Sequence, residues 1–127
     1  MAKRQRIKGP GIAEHPQPFP AAIRVGNMVF TSNVFGDDPN THEVPKDLDT
    51  QCKNVFDAMR RIMETAGGSP GDIAKVTVTM KNRDDRTTMN KYWTAMFPDE
   101  DDRPVRHTVE GALGNNRLIQ VEFIAVI

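Results

Sequence analysis

The stretch RLIQVEFIAVI (Arg117–Ile127) alternates so that Ile119, Val121, Phe123, Ala125 and Ile127 fall on one face of a strand. Leu118, Gln120, Glu122, Ile124 and Val126 fall on the other, and that face too is largely apolar. A strand packed on one helix layer needs one apolar face, because successive side chains point to opposite sides. The second face asks for a cover that a chain of 127 residues has few elements left to provide, and association with further copies of the same chain answers that need. Glu122 then lies near a subunit boundary. A lone carboxylate buried there costs several kcal/mol, roughly, unless it finds a partner or stays wet.

Upstream, VRHTVEGAL (Val105–Leu113) reads as another strand, and Gly114-Asn115-Asn116 between the two is a turn signal, since Gly and Asn tolerate positive φ. The expectation is a hairpin that sets Arg106 beside Glu122. Such a pair has two readings. It is either a structural ion pair, or a pocket in which the planar guanidinium grips a substrate carboxylate and Glu122 handles a proton or a water. His107, next to Arg106, points the other way along the strand.

The other elements follow from periodicity. Leu48, Cys52, Val55, Phe56, Met59, Ile62, Met63 and Ala66 recur at steps of three and four, the stripe of a helix of about five turns. Gly67-Gly68 and Pro70 end it. DIAKVTVTMKN (Asp72–Asn82) alternates as a half-buried strand, and a shorter helix with Met89, Tyr92, Trp93, Met96 and Phe97 on its stripe begins at Asp84-Asp85 and stops at Pro98. Ala21–Val25 and Met28–Val34 are β-prone runs around a Gly26-Asn27 turn. The order β-β-α-β-α-β-β, with one apolar stripe per helix, predicts an α+β sheet carrying both helices on one face. Residues 1–18 read as an irregular, basic and Pro-rich lead-in, and residues 19–127 as a single domain.

Composition narrows the function. Lys plus Arg and Asp plus Glu both number 17, so the formal net charge is zero, which argues against nucleic acid as the main partner. Lys3, Arg4, Arg6 and Lys8 are the one local basic cluster. No apolar run follows them and none elsewhere approaches the ~20 residues of a membrane span, so a cytoplasmic setting without membrane partners is expected. The single cysteine, Cys52, sits in the helical stripe and reads as a packed thiol. The acidic run Asp99–Asp102 reads as a solvated loop, and no His/Cys spacing suits a metal.

Across residues 20–127 the chain resembles the reactive intermediate/imine deaminase family, also called RidA or YjgF. The resemblance rests on VGNMVFTSN (Val25–Asn33), Gln51 followed by NVFDAMRRIMETAG (Asn54–Gly67), GDIAKVTVTMKN (Gly71–Asn82), MNKYW (Met89–Trp93), RPVRHTVE (Arg103–Glu110) and VEFIAV (Val121–Val126), in that order. It implies a chorismate-mutase-like fold, a homotrimer with clefts between subunits, and cofactor-independent hydrolysis of enamines or imines to a carbonyl compound and ammonia. Carried over by position, Arg106 holds the substrate carboxylate and Glu122 orients water and shuttles its proton. Ser32, Asn90 and Thr108 line the cleft. Asn33 and Val34 replace the family's Gly and Gln at its mouth, and Phe19 stands where many members have an aromatic hydroxyl. A different small carboxylated amine as substrate is therefore open. So are two other functions: a non-catalytic trimer that binds small acids, and the RNA cleavage with inhibition of translation attributed to some relatives.

Overall fold

The computed structural model describes residues 3–127. Its strands are β1 (Gln5–Ile7), β2 (Ala22–Val25), β3 (Met28–Thr31), β4 (Val34–Phe35), β5 (Ile73–Met80), β6 (Val105–Glu110) and β7 (Ile119–Val126). The helices are α1 (Leu48–Ala66) and α2 (Arg86–Met96). One sheet runs in the order β1-β2-β3-β7-β5-β6, with β4 also pairing β7. Among the described residues no helix is long and apolar enough to cross a membrane.

Helix α1 follows its stripe. Cys52, Val55, Phe56, Met59, Ile62, Met63 and Ala66 are all buried. Asp47 caps the start, accepting the Thr50 amide at 2.8 Å. Gly67 ends the helix in the left-handed region at φ 92°, and the Gly68 amide reaches back to the Met63 carbonyl. Cys52 is buried, and desolvation pushes its thiol up to about 12. It is a packing residue. Helix α2 starts on Asp85, which makes no side-chain cap bond; the turn before it is capped by Asn82, accepting from the Asp84 amide.

The core lies between the helices and one sheet face. Val76, Val78 and Met80 of β5 are fully buried with Ile119, Val121, Phe123 and Ala125 of β7, and Met89 and Trp93 of α2 join them. Thr77 and Thr79 alternate to the other face.

Two expectations are corrected. The lead-in is not wholly irregular: Gln5–Ile7 pair antiparallel with Arg24–Ala22, and Ile7 and Ile12 are buried in the core. Edge pairing and the anchor residues Ile7 and Ile12 hold a segment whose proline and glycine content predicts coil. The last two strands do not form a hairpin either. β6 pairs in parallel with β5 on one side, and β7 pairs antiparallel with β5 on the other. The β5-α2-β6 crossover places β6 parallel to β5 at the sheet edge. β7, apolar on both faces, takes the interior between β3/β4 and β5. Gly114, Asn115 and Asn116 do adopt positive φ (68°, 48° and 60°), but their turn belongs to a connection that passes the end of β5.

Arg106 consequently aligns with Val76, and Glu122 with Thr77. The two side chains stand on opposite faces of the sheet and form no ion pair within the chain.

Candidate functional site

On β6, Arg106 and Thr108 share the helix-facing side, level with Val76 and Val78. The Arg106 guanidinium lies 4.8 Å from the centre of the Trp93 ring. Its Nη1 donates to Asn90 Oδ1 at 2.8 Å and contacts Met89 Sδ at 3.4 Å. All three partners come from α2, spaced so that one helix face grips one arginine. Among the described residues, Nε and Nη2 engage no protein acceptor and no carboxylate lies within ion-pair distance. Burial, and secondarily the charge of Arg86, lowers the Arg106 pKa. A guanidinium stays charged under that pressure, so the desolvation strengthens its attraction for an incoming anion. This is a half-buried, oriented cation with two donors to spare.

The other expected residues gather elsewhere. β3 pairs with β7 as far as Phe30 opposite Ile124, and β4 resumes at Val34 opposite Val121. Between these pairs residues 31–33 face residues 122–123, one extra residue on the outer strand, which is a bulge. Ser32 and Asn33 occupy it, beside Glu122. Ser32 Oγ lies 3.0 Å from the Pro20 carbonyl oxygen and 3.1 Å from that of Ala21, so its hydroxyl donates to the lead-in and ties it to the bulge. Thr31 Oγ1 accepts the Phe123 amide at 2.9 Å. Phe19 stacks on His15 with ring centres 4.1 Å apart and is 42% exposed. Glu122 is exposed on the face away from the helices.

A cavity of about 1120 Å³ runs between the lead-in, α1 and the bulge; His15, Ser32, Asn33, Phe35 and Arg117 line it. Neither Arg106 nor Glu122 does. The predicted residues thus form two groups: Arg106, Asn90 and Thr108 at the α2–β6 edge, and Ser32, Asn33, Phe19 and Glu122 around the bulge.

Sequence reasoning missed the supports of the second group. Gln51 is completely buried; its Nε2 donates to the carbonyls of Pro45 and Asn116, and its Oε1 accepts the Leu118 amide. A Cβ on Gly36 would come within 2.3 Å of the Gln51 carbonyl oxygen, so the loop after β4 lies flush on α1. Arg117 makes a two-pronged bond to Asp37 and covers the Phe35 ring at 4.0 Å. A polar residue inside an apolar helical stripe was the one available signal, and Gln51 carries it.

A sequence model described as Endoribonuclease L-PSP matches residues 13–127. The 2-iminobutanoate/2-iminopropanoate deaminase of Escherichia coli is 37% identical over 111 residues, 86% of this chain and 87% of that protein. The chain belongs to the RidA/YjgF family. Among solved structures, a RidA from an Antarctic Psychrobacter superposes with a TM-score of 0.90 at 30% identity, covering 98% of this chain and 100% of that one. Escherichia coli TdcF, solved with bound serine, superposes with a TM-score of 0.89 at 30% identity, covering 97% and 98%. The α+β architecture is the chorismate-mutase-like fold of these RidA-family neighbours.

Proposed function

We propose that this chain deaminates a carboxylate-bearing enamine or imine by adding water, in a cleft completed by a neighbouring copy of a homotrimer and without a cofactor. The observation that carries the reading is the unpaired guanidinium of Arg106, fixed by Asn90 and Trp93 and facing away from the only carboxylate assigned to the same chemistry. Arg106 and Glu122 sit on opposite sheet faces of one protomer, so a cleft holding both needs two. Association is supported by the outer face as well. Met28, Phe30, Ile124 and Val126 align there across β3 and β7, and Val126 is 44% exposed.

In the assembled cleft Arg106 binds the substrate carboxylate through Nε and Nη2, while Nη1 stays on Asn90. Glu122 of the neighbouring copy orients a water and takes one of its protons as the oxygen attacks the C=N carbon. Glu122 returns the first proton to the nitrogen to complete the carbinolamine, then takes the hydroxyl proton as the C–N bond breaks and passes it to the departing nitrogen, so that ammonia carries both water protons and the carbonyl compound keeps the oxygen. Ser32, Asn33, Asn90, Thr108 and the Phe19 ring hold the reactants in line, so much of the acceleration is positional. The imine deaminase name of the Escherichia coli relative supports this reaction class.

Freshly generated imino acids should release ammonia in the presence of the protein, and Arg106→Ala should slow that release by about 10²–10³-fold. Normal turnover by the variant removes the proposed clamp, and a monomeric mass in solution removes the cleft. The serine bound to TdcF favours one other reading, small-acid binding without chemistry. Carboxylate binding with no imine or enamine turned over would establish it.

A further inference from the structure

The helix face that grips Arg106 carries one more charge. Met89, Asn90 and Trp93 all touch the Arg106 guanidinium, and Arg86 stands three, four and seven residues before them, at the start of α2 and near the centre of the same face. Strand β6 fixes where that face lies. Glu110, on the side of β6 that carries Arg106 and Thr108, accepts the Arg83 amide at 3.0 Å, which seats the turn before α2 on the last residue of the strand. Asn90 is bonded to Arg106 near the other end. Arg86 therefore lies between them, four residues or about 6 Å along the helix axis from Asn90, in the direction of Thr108 and Glu110.

Among the described residues Arg86, like Arg106, has no carboxylate within ion-pair distance. Its charge is felt at Arg106, where it adds to burial in lowering the pKa. Two like charges on one helix face repel, and a bound dianion removes that repulsion while satisfying both. A single carboxylate on Arg106 leaves Arg86 unanswered. Arg86 is exposed at the rim, so it suits the end of a substrate that stays nearest to solvent. A five-carbon chain with an acid at each end sets its carboxylates about 5 Å apart, close to the axial offset between Asn90 and Arg86. We propose that Arg86 is a second anion clamp beside Arg106, so that this chain prefers imino acids with a second, terminal carboxylate, of the size of 2-iminoglutarate, to monocarboxylic ones. The inference rests on the deamination reading for the place of Arg106 in the reaction and on the α2 face for its own geometry.

The test uses the full chain and two imines of equal length generated in place by amino-acid oxidases, one from glutamate and one from norvaline, which has a methyl where glutamate has its second carboxylate. The wild-type kcat/KM should favour the dicarboxylic imine by about tenfold, the scale of one charge-assisted hydrogen bond. Arg86→Gln should remove that preference, Arg86→Glu should reverse it, and Arg86→Lys should keep most of it, because a point charge at the rim still attracts the second carboxylate. Equal use of both imines by the wild type, or a ratio that Arg86→Gln leaves unchanged, overturns the clamp. If neither imine is turned over, the deamination reading fails and binding decides the clamp separately. 2-Oxoglutarate bound more tightly than 2-oxopentanoate, with the preference lost in Arg86→Gln, upholds it; equal binding of the two acids overturns it.

Discussion

The two halves of the candidate site are built on opposite principles. At the α2–β6 edge, a regular helix and a regular strand hold Arg106 from three directions, by Asn90, Met89 and Trp93. Around the bulge no regular element does the positioning. Side chains reach over from elsewhere: Ser32 to residues 20–21, Gln51 to Pro45, Asn116 and Leu118, Arg117 to Asp37. The half around Arg106 stands on rigid backbone, while the half around the bulge hangs on a few polar cross-links. The two halves are thus held by different means, and substitutions should separate them too.

The largest effect belongs to the charge-gripping half. Arg106→Ala should cut kcat/KM by about 10²–10³-fold, because a half-desolvated two-pronged carboxylate contact is lost outright. Arg106→Lys should restore only part of it, since an ammonium cannot keep Asn90 on one nitrogen and offer a planar fork with the others. Thermal stability should barely move in either variant. A large loss of stability would mean that Arg106 is a structural residue and that the halves are not separable in this way.

The converse holds at Gln51, which touches no substrate in this scheme. Gln51→Leu keeps the volume but leaves the Leu118 amide and the Pro45 and Asn116 carbonyls unpaired, which should cost about 2–4 kcal/mol in denaturant unfolding. The Arg106 contact should survive. Unchanged stability would show that the loops around the cavity hold themselves up.

How far each half could be read from the letters follows the same divide. Helix α1 and strand β5 were legible because burial imposes periods of 3.6 and 2 on their apolar residues, and Gly67 ends α1. Arg106 was legible through the segment around it and its resemblance to a family motif. Its place relative to Glu122 was not. Consecutive strands usually lie side by side, and Gly114-Asn115-Asn116 looks like a hairpin turn, so local signals favoured a pairing that the β5-α2-β6 crossover forbids. Tertiary competition for the central position in the sheet decided it: β7 has two apolar faces, and β6, with Val105 and His107 exposed, does not. β1 and the His15–Phe19 stack left no periodic trace, because irregular backbone held by edge pairing and ring contacts has no period to show.

A smaller effect is expected where a cross-link of the second half is partly wet. Asp37→Ala frees Arg117 from an ion pair whose side chains are 16–18% exposed, and should cost about 1–2 kcal/mol of stability after allowance for solvent screening. Arg117 also lies over the Phe35 ring, a contact that the substitution leaves in place. Unchanged stability would show that this cross-link holds nothing in place.

The smallest effect is the most diagnostic for the rigidity of the first half. Lys91 on α2 pairs with Asp49 on α1, but the two side chains are 63% and 52% exposed. The helices are joined more substantially by the Phe56–Tyr92 stack, with ring centres 6.2 Å apart, inside a common core. Lys91→Ala should therefore leave the melting temperature at pH 7 within error. The pair does carry a pH signature. Its hydrogen bond, above all, holds the Asp49 pKa below the ordinary 3.8, so any contribution is present above that value and disappears as pH falls through the folded one. The same bond raises Lys91 above 10.5, so the contribution also disappears at the alkaline end. The variant should lose both small slopes and keep the same carboxylate affinity, because Asn90 and Trp93 reach Arg106 from a helix that packing, not surface charge, holds against the sheet. Weaker carboxylate binding by Lys91→Ala would show instead that α2 is loose enough for an exposed ion pair to steer it, and the contrast between a rigid half and a cross-linked half would lose its basis.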